Sequence, residues 1–367
     1  MKHIDLSKLK TYPLAQRKSM ATIEETLIDP ASPLPSLSPE NQERVTRCAA
    51  NIQSSRESGS SVVYIYGAHL IKNGAHLLLD ELMDRGWITH LATNGAGVIH
   101  DWEWAFHGKS TECVRSNVAT GTFGIWEETG YYLHLALLTG AINNEGFGQS
   151  IGRMITEENL FLPSKTDLET QLREAPTHPL TPARAELLQA MTQHDLKDGP
   201  QEIPHPWKSS CVLANAIKHN IPLTVHPGIG YDIISNHPMF NGAALGRAAQ
   251  MDFSSFGNSI EGLDNGVVLS VGSAIMGPQV FEKSISCVNN LRLQNERATV
   301  KNHSIYVVDI QDGGNWDWSQ GEPTKDNPAY YLRFCKSYNR MGGSMQYVQC
   351  DNIAFTHHLL NELKSLS

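Results

Sequence analysis

The segment 94–110, NGAGVIHDWEWAFHGKS, places four side chains able to move protons or bind metal within eight positions: His100, Asp101, Glu103 and His107. On a helix over 98–108, His100, Glu103 and His107 stand at i, i+3 and i+7 and share one face. That face suits acid–base work, because an imidazole titrates near neutrality and neighbouring carboxylates tune it. It also offers nitrogen and oxygen to a divalent metal. The zinc helix with two histidines at i, i+4 and a glutamate between them is absent, and no metal is assigned. A structural alternative has Trp102, Trp104 and Phe106 facing a core, with Asp101 near a helix start where the dipole favours it.

Other reactive groups lie beside glycine-rich turns. Four turns stand out: Gly67-Ala68-His69, Asn94-Gly95-Ala96-Gly97, His226-Pro227-Gly228-Ile229-Gly230 and Gly272-Ser273-Ala274. None is GxGxxG, and one such turn alone says little, since any tight strand-to-helix turn favours glycine. Four of them, each with a polar neighbour, point to a ligand site. His226 and Asp232 flank the third turn, where Asp232 is either a ligand group or a helix cap. The loop DIQDGGNWDWSQGEP offers Trp316 and Trp318 as faces, and Asp309, Asp312 and Asp317 as charges, to a cation. Arg333, Lys336 and Arg340 either bind an anion or form an ordinary helix surface.

The turns need strands to carry them. SVVYIYG (61–67), WITHLAT (87–93), IPLTVHPG (221–228), GVVLSVG (266–272) and SIYVVDI (304–310) read as short strands. LIKNGAHLLLDELMDRG (70–86) and SAIMGPQVFEKSISCVNNLR (273–292) have helical spacing. Strand, helix, strand in about thirty residues is a βαβ unit. The expected fold is therefore α/β: a doubly wound, mostly parallel, Rossmann-like sheet with ligands beyond the carboxyl ends of its strands. Residues 1–45 read as an arm, with four prolines in 27–40. Residues 46–345 read as one domain with a polar helical insertion at about 155–206, including a helix around 181–193. Residues 346–367 read as a C-terminal helix.

Composition bounds the function. The 367 residues are 40% hydrophobic and 18% charged, ordinary for a globular protein. A net charge of −9 argues against nucleic acid and anionic membranes as partners. No apolar run reaches membrane-spanning length, and no secretion signal opens the chain. Six scattered cysteines without a CxxC pair suggest free thiols in a cytoplasmic setting.

The run YGAHLIKNGAHLLLDELMDRGWITHLATNGAGVIHDWEWAF resembles the nucleotide-binding part of deoxyhypusine synthases. IPLTVHPGIGYDI and GVVLSVGSAIMGPQVF resemble two further segments of that family, and the similarity spans roughly residues 45–345 at low identity. The resemblance implies the fold, an NAD site, a homotetramer and an amine substrate. Together with the strand-end turns it gives as cofactor-binding candidates Gly67, His69, Asn94, Gly95, Gly97, Asp232, Gly272, Ser273 and Asp309. Those enzymes oxidise spermidine with NAD and pass the butylamine through an imine on an enzyme lysine. Here Met276 or Gly277 falls at the lysine's place, Lys283 comes later on the helix, and Ile99 and His100 replace an acidic pair before Asp101. An imine needs an amine nucleophile, so the chain reads as a divergent, bacterial-type member that does not make deoxyhypusine. His100, Asp101, Glu103, His226 and Lys283 are the catalytic candidates. The expected activity is an NAD-dependent transferase or oxidoreductase on an amine or polyamine-like small molecule. The alternatives are a non-catalytic binding relative and a metal-dependent hydrolase using His100, Glu103 and His107.

Overall fold

A computed structural model of the chain describes residues 2–366. The central sheet has six strands: β1 Val62–Tyr66, β2 His90–Thr93, β3 Leu223–Val225, β4 Val267–Val271, β5 Ser304–Asp309 and β6 Ser344–Gln349. Their order across the sheet is 3-2-1-4-5-6, and every pairing is parallel. This is the strand order of doubly wound dinucleotide-binding sheets, with the order reversing between β1 and β4.

β1 and β4 are buried along their whole length, which is why they read as continuous apolar runs. Alternate residues feed opposite cores. Val62, Tyr64, Tyr66 and Leu269 join one cluster, with α1 (Pro39–Glu57) and α7 (Asn352–Leu366). Val63, Ile65 and Val268 join the other, with Phe256 of α5 (Gly242–Glu261) and Phe281 of α6 (Met276–Gln294). Helices on both faces make the sheet doubly wound, as expected.

Several boundaries differ from the sequence reading. Residue 45 lies inside α1, which starts at Pro39 because Ser38 caps it by accepting from the Asn41 amide. The helix expected over 70–86 is two, Ala68–Lys72 and α2 (His76–Asp84). It breaks at Gly74, which has φ +90 and whose missing side chain leaves room for the Thr26 carbonyl of the arm. Residues 346–349 belong to β6, a strand that was not expected, and the C-terminal helix begins at Asn352. Residues 159–202 hold a small antiparallel pair, Asn159–Leu162 with Gly199–Glu202, around the helices Lys165–Glu174 and Thr181–Gln193. Among the described residues no helix is long and apolar enough to cross a membrane.

Candidate functional site

The turns after β1 and β4 meet backbone to backbone. A Cβ on Gly67 would lie 2.0 Å from the Gly272 carbonyl oxygen. Gly272 itself takes φ +61, and a Cβ there would meet the Asn352 side chain at 2.3 Å. Both positions thus need glycine for close packing at the point where the strand order reverses. The helices that leave these turns, Ala68–Lys72 and α6, have no side-chain hydrogen bond from their N-cap residues Gly67 and Ile275. Ser273 satisfies one α6 amide, accepting from Gly277 N at 3.0 Å. In the short helix the Leu70 amide bonds the Gly67 carbonyl at 3.1 Å, and in α6 the third position, Pro278, has no amide proton. Asp309 ends the neighbouring β5, and His69 is exposed on the short helix. The structure therefore gathers Gly67, His69, Gly272, Ser273 and Asp309 at the carboxyl ends of three adjacent strands.

The turn after β2 is built differently, and it corrects part of the sequence assignment. Asn94 caps α3 (Gly95–His107) by accepting from the Gly97 amide at 2.9 Å. A Cβ on Gly95 would sit 2.2 Å from a carboxylate oxygen of Asp232, and one on Gly97 would sit 2.2 Å from the Thr93 hydroxyl. Asp232 accepts from Gly228 N at 2.8 Å and from the Ala96 amide. The anion position at the start of α3 is thus filled by the protein's own carboxylate. Asn94, Gly95 and Gly97 cap and pack the helix there, and Asp232 would repel a phosphate rather than hold one.

Beside α3 lies a cavity of about 260 Å³, walled by Lys72, Ile99, His100, Glu103, Phe123 and Asp232 among others. Its polar side is a buried relay. Arg17 of the arm grips Glu103 with two hydrogen bonds of 2.6 and 2.9 Å, both side chains being 1% exposed. The Ser110 hydroxyl donates to Glu103 at 2.8 Å and lies 2.7 Å from His100 Nδ1. Since that hydroxyl proton goes to Glu103, Ser110 accepts from His100, and Nδ1 carries the imidazole proton. Nε2 then holds a lone pair and has no hydrogen-bond partner among the described residues. Burial lowers the His100 pKa to about 4, opposed in part by Glu103, so the ring is neutral at pH 7 and can accept a proton. Burial raises Asp232 to about 6, with its two amide donors pulling it down. Burial thus shifts two titratable groups of one cavity in opposite directions.

Ser110 and Arg17 are the residues that sequence reading missed. Ser110 reaches His100 because Lys109–Ser110 pairs with Ala21–Thr22 of the arm in a two-residue antiparallel ladder. The arm is therefore part of this site, and residues 17–31 carry no motif that could have revealed it. Lys72, also missed, is half-buried in the cavity wall.

Three catalytic candidates are not brought here. Asp101 is buried against α4 (Val212–Lys218), accepting from Val212 N at 3.0 Å, Leu213 N at 2.8 Å and the Cys211 thiol at 3.2 Å. It caps that helix, and burial raises its pKa to about 6 against those amides. His226 is 8% exposed, bonded to Thr224 at 3.1 Å and packed edge-on to Phe256, with burial lowering its pKa to about 4. Lys283 is exposed beyond the second turn of α6 and pairs with Glu282 at 2.9 Å. Both Glu103 oxygens are engaged by Arg17, which leaves the His100–Glu103–His107 metal reading without a free carboxylate. No group of three or more His, Cys, Asp or Glu among the described residues is placed to hold a metal. A larger cavity, about 780 Å³, runs by the outer strand β6 and is lined by Trp316, Asp317 and Trp318 of the aromatic loop but by none of the catalytic or cofactor-binding candidates.

No family model matches the chain, and no curated protein does. Among solved structures it is similar to a conserved protein assigned to the LOR/SDH class from Methanococcus maripaludis S2. That match is 16% identical over 92% of this chain and 74% of the other, with TM-score 0.45. AgrE in its complex with ornithine and NAD+ is 14% identical over 90% of this chain and 34% of its own, with TM-score 0.42. A protein assigned as a deoxyhypusine synthase from Entamoeba histolytica is 10% identical over 90% of each chain, with TM-score 0.40. The chain thus spans about a third of the length of AgrE, and at these identities the likenesses place no activity on it.

Proposed function

We propose that this chain is an NAD-dependent enzyme acting on a small amine, deoxyhypusine synthase-like but without that family's lysine. The observation that supports it is the meeting of the Gly67 and Gly272 turns where a 3-2-1-4-5-6 parallel sheet reverses its order. A dinucleotide would lie beyond these strand ends, its pyrophosphate toward the starts of the short helix and α6 and a ribose hydroxyl toward Asp309. It does not fit at α3, where Asp232 stands. When bound, the nicotinamide supplies the hydride acceptor. His100 Nε2 would accept a hydrogen bond from the substrate nitrogen and orient it. Ser110, Glu103 and Arg17 keep His100 in the tautomer that can do this. Met276 and Gly277 stand at the start of α6 and Lys283 lies on the surface, so the lysine nearest His100 in the cavity wall is Lys72.

Calorimetric titration of NAD into the purified protein tests this reading. Saturable binding is expected. Ala68→Glu, which adds an anion at the half-buried start of the short helix, should abolish binding while leaving the thermal unfolding curve in place. The absence of heat at millimolar NAD overturns the dinucleotide assignment.

A further inference from the structure

The charges around the 260 Å³ cavity do not all cancel. Arg17 and Glu103 neutralise each other. Glu112 is satisfied by three donors: Asn117 Nδ2 at 2.5 Å, Gly124 N at 3.1 Å and Trp126 Nε1 at 3.0 Å. Two charges remain. Lys72 has neither an ion pair nor a hydrogen bond among the described residues, although it is half-buried. Asp232, 4% exposed, accepts from main-chain amides and has no cation within 4.0 Å. A cation and an anion in one small cavity, each without its counter-ion, carry a desolvation cost that a partner of matching charge would relieve.

We infer that the cavity binds a small amino acid, its carboxylate on Lys72 and its ammonium between Asp232 and His100. This rests on the amine reading above and narrows it. Asp232 is mostly ionised at neutral pH, since its pKa lies at about 6, and the neutral His100 offers a lone pair rather than a second positive charge. The side chain would lie on Ile99, Phe123 and Ile233. A polyamine fits less well, because Lys72 would face one of its ammonium groups without an intervening anion. The volume sits just under the range of about 300–1,000 Å³ typical of drug-sized ligands, which suits a metabolite of amino-acid size.

A matched set of probes tests the charge rule by calorimetry on the full chain without NAD: L-norvaline and 5-aminopentanoate, which carry both charges, pentylamine, and pentanoate. At least one of the two amino acids should bind about tenfold or more tighter than both singly charged compounds, as expected for added charged hydrogen bonds. Lys72→Gln should erase that advantage and Lys72→Arg should largely restore it, while both variants unfold as the parent does. Pentylamine binding as tightly as the amino acids, an unchanged advantage in Lys72→Gln, or no binding of any probe overturns the inference. The NAD titration separates the two ideas. NAD binding without amino-acid selectivity sinks the substrate assignment alone, whereas amino-acid binding without NAD sinks the oxidoreductase reading and keeps the site.

Discussion

At the scale of single residues, the site depends on an ion pair that almost never sees water. Arg17 and Glu103 are each 1% exposed, and Glu103 also accepts from Ser110 and from Thr129 at 3.1 Å. Removing one partner of such a pair strands a buried charge, at a cost of about 3–5 kcal/mol. Arg17→Ala should therefore lower stability by that amount in urea unfolding, and Arg17→Met combined with Glu103→Leu should recover much of it. Recovery by the double variant would show that the pair is kept for positioning rather than for stability. His100 tests the positioning itself. An NMR titration should place its protonation near pH 4. Ser110→Ala leaves Nδ1 without its acceptor and should scramble the two tautomers in the imidazole nitrogen shifts.

At the scale of elements, glycines divide into those the packing requires and those it does not. Gly67 lies in the first class, because any side chain would collide with the backbone of the neighbouring turn. Gly67→Ala should destabilise by about 1–3 kcal/mol, since the two turns must part for one methyl group. Gly257, in the middle of α5, has ordinary helical conformation and open space where its Cβ would be. Gly257→Ala should stabilise by about 0.8–1.0 kcal/mol, the helix-propensity difference. Opposite signs for the two substitutions in parallel denaturation curves would check both arguments. Equal destabilisation would mean that the turn contact is softer than its 2.0 Å approach indicates.

For the whole molecule, buried histidines dominate the response to acid. Burial lowers the pKa of His76, His90, His100, His134, His205, His226 and His237 to about 3 or 4. Each binds a proton on unfolding between its folded value and 6.5, so each favours the folded state less as pH falls through that window. Asp101, Asp232 and Asp252 oppose this, since burial raises them to about 6, 6 and 7, and they hold protons in the folded state that the unfolded chain releases. Seven groups act one way and three the other, so stability should fall as pH drops from about 6.5 towards 5. Thermal unfolding in buffers across that interval should show Tm decreasing with acidity. A flat or rising Tm would mean that these histidines are more hydrated than their burial implies.

Local physics made part of this protein legible from its sequence alone. Five of the six central strands stand out because both faces of a parallel sheet are buried, which forces runs such as VVYIY and VVLSV. The turns at Gly67 and Gly272 are visible because tight strand-to-helix connections favour glycine. β6, SMQYVQ, escaped notice because it is an edge strand with exposed residues breaking its apolar pattern. The strand order, and with it the place where the sheet reverses, is a matter of long-range pairing that no local run encodes. The site followed the same division. His100 and Glu103 announce themselves by chemistry and helical spacing, but Arg17 joins them from 86 positions away, by tertiary packing of the arm. Asp101, equally reactive in the sequence, was drawn instead to the bare amides of α4, because a buried helix start must find an acceptor. Sequence decided which groups could do chemistry. Tertiary structure decided which of them were used up satisfying the protein's own amides and charges, and which were left facing a cavity.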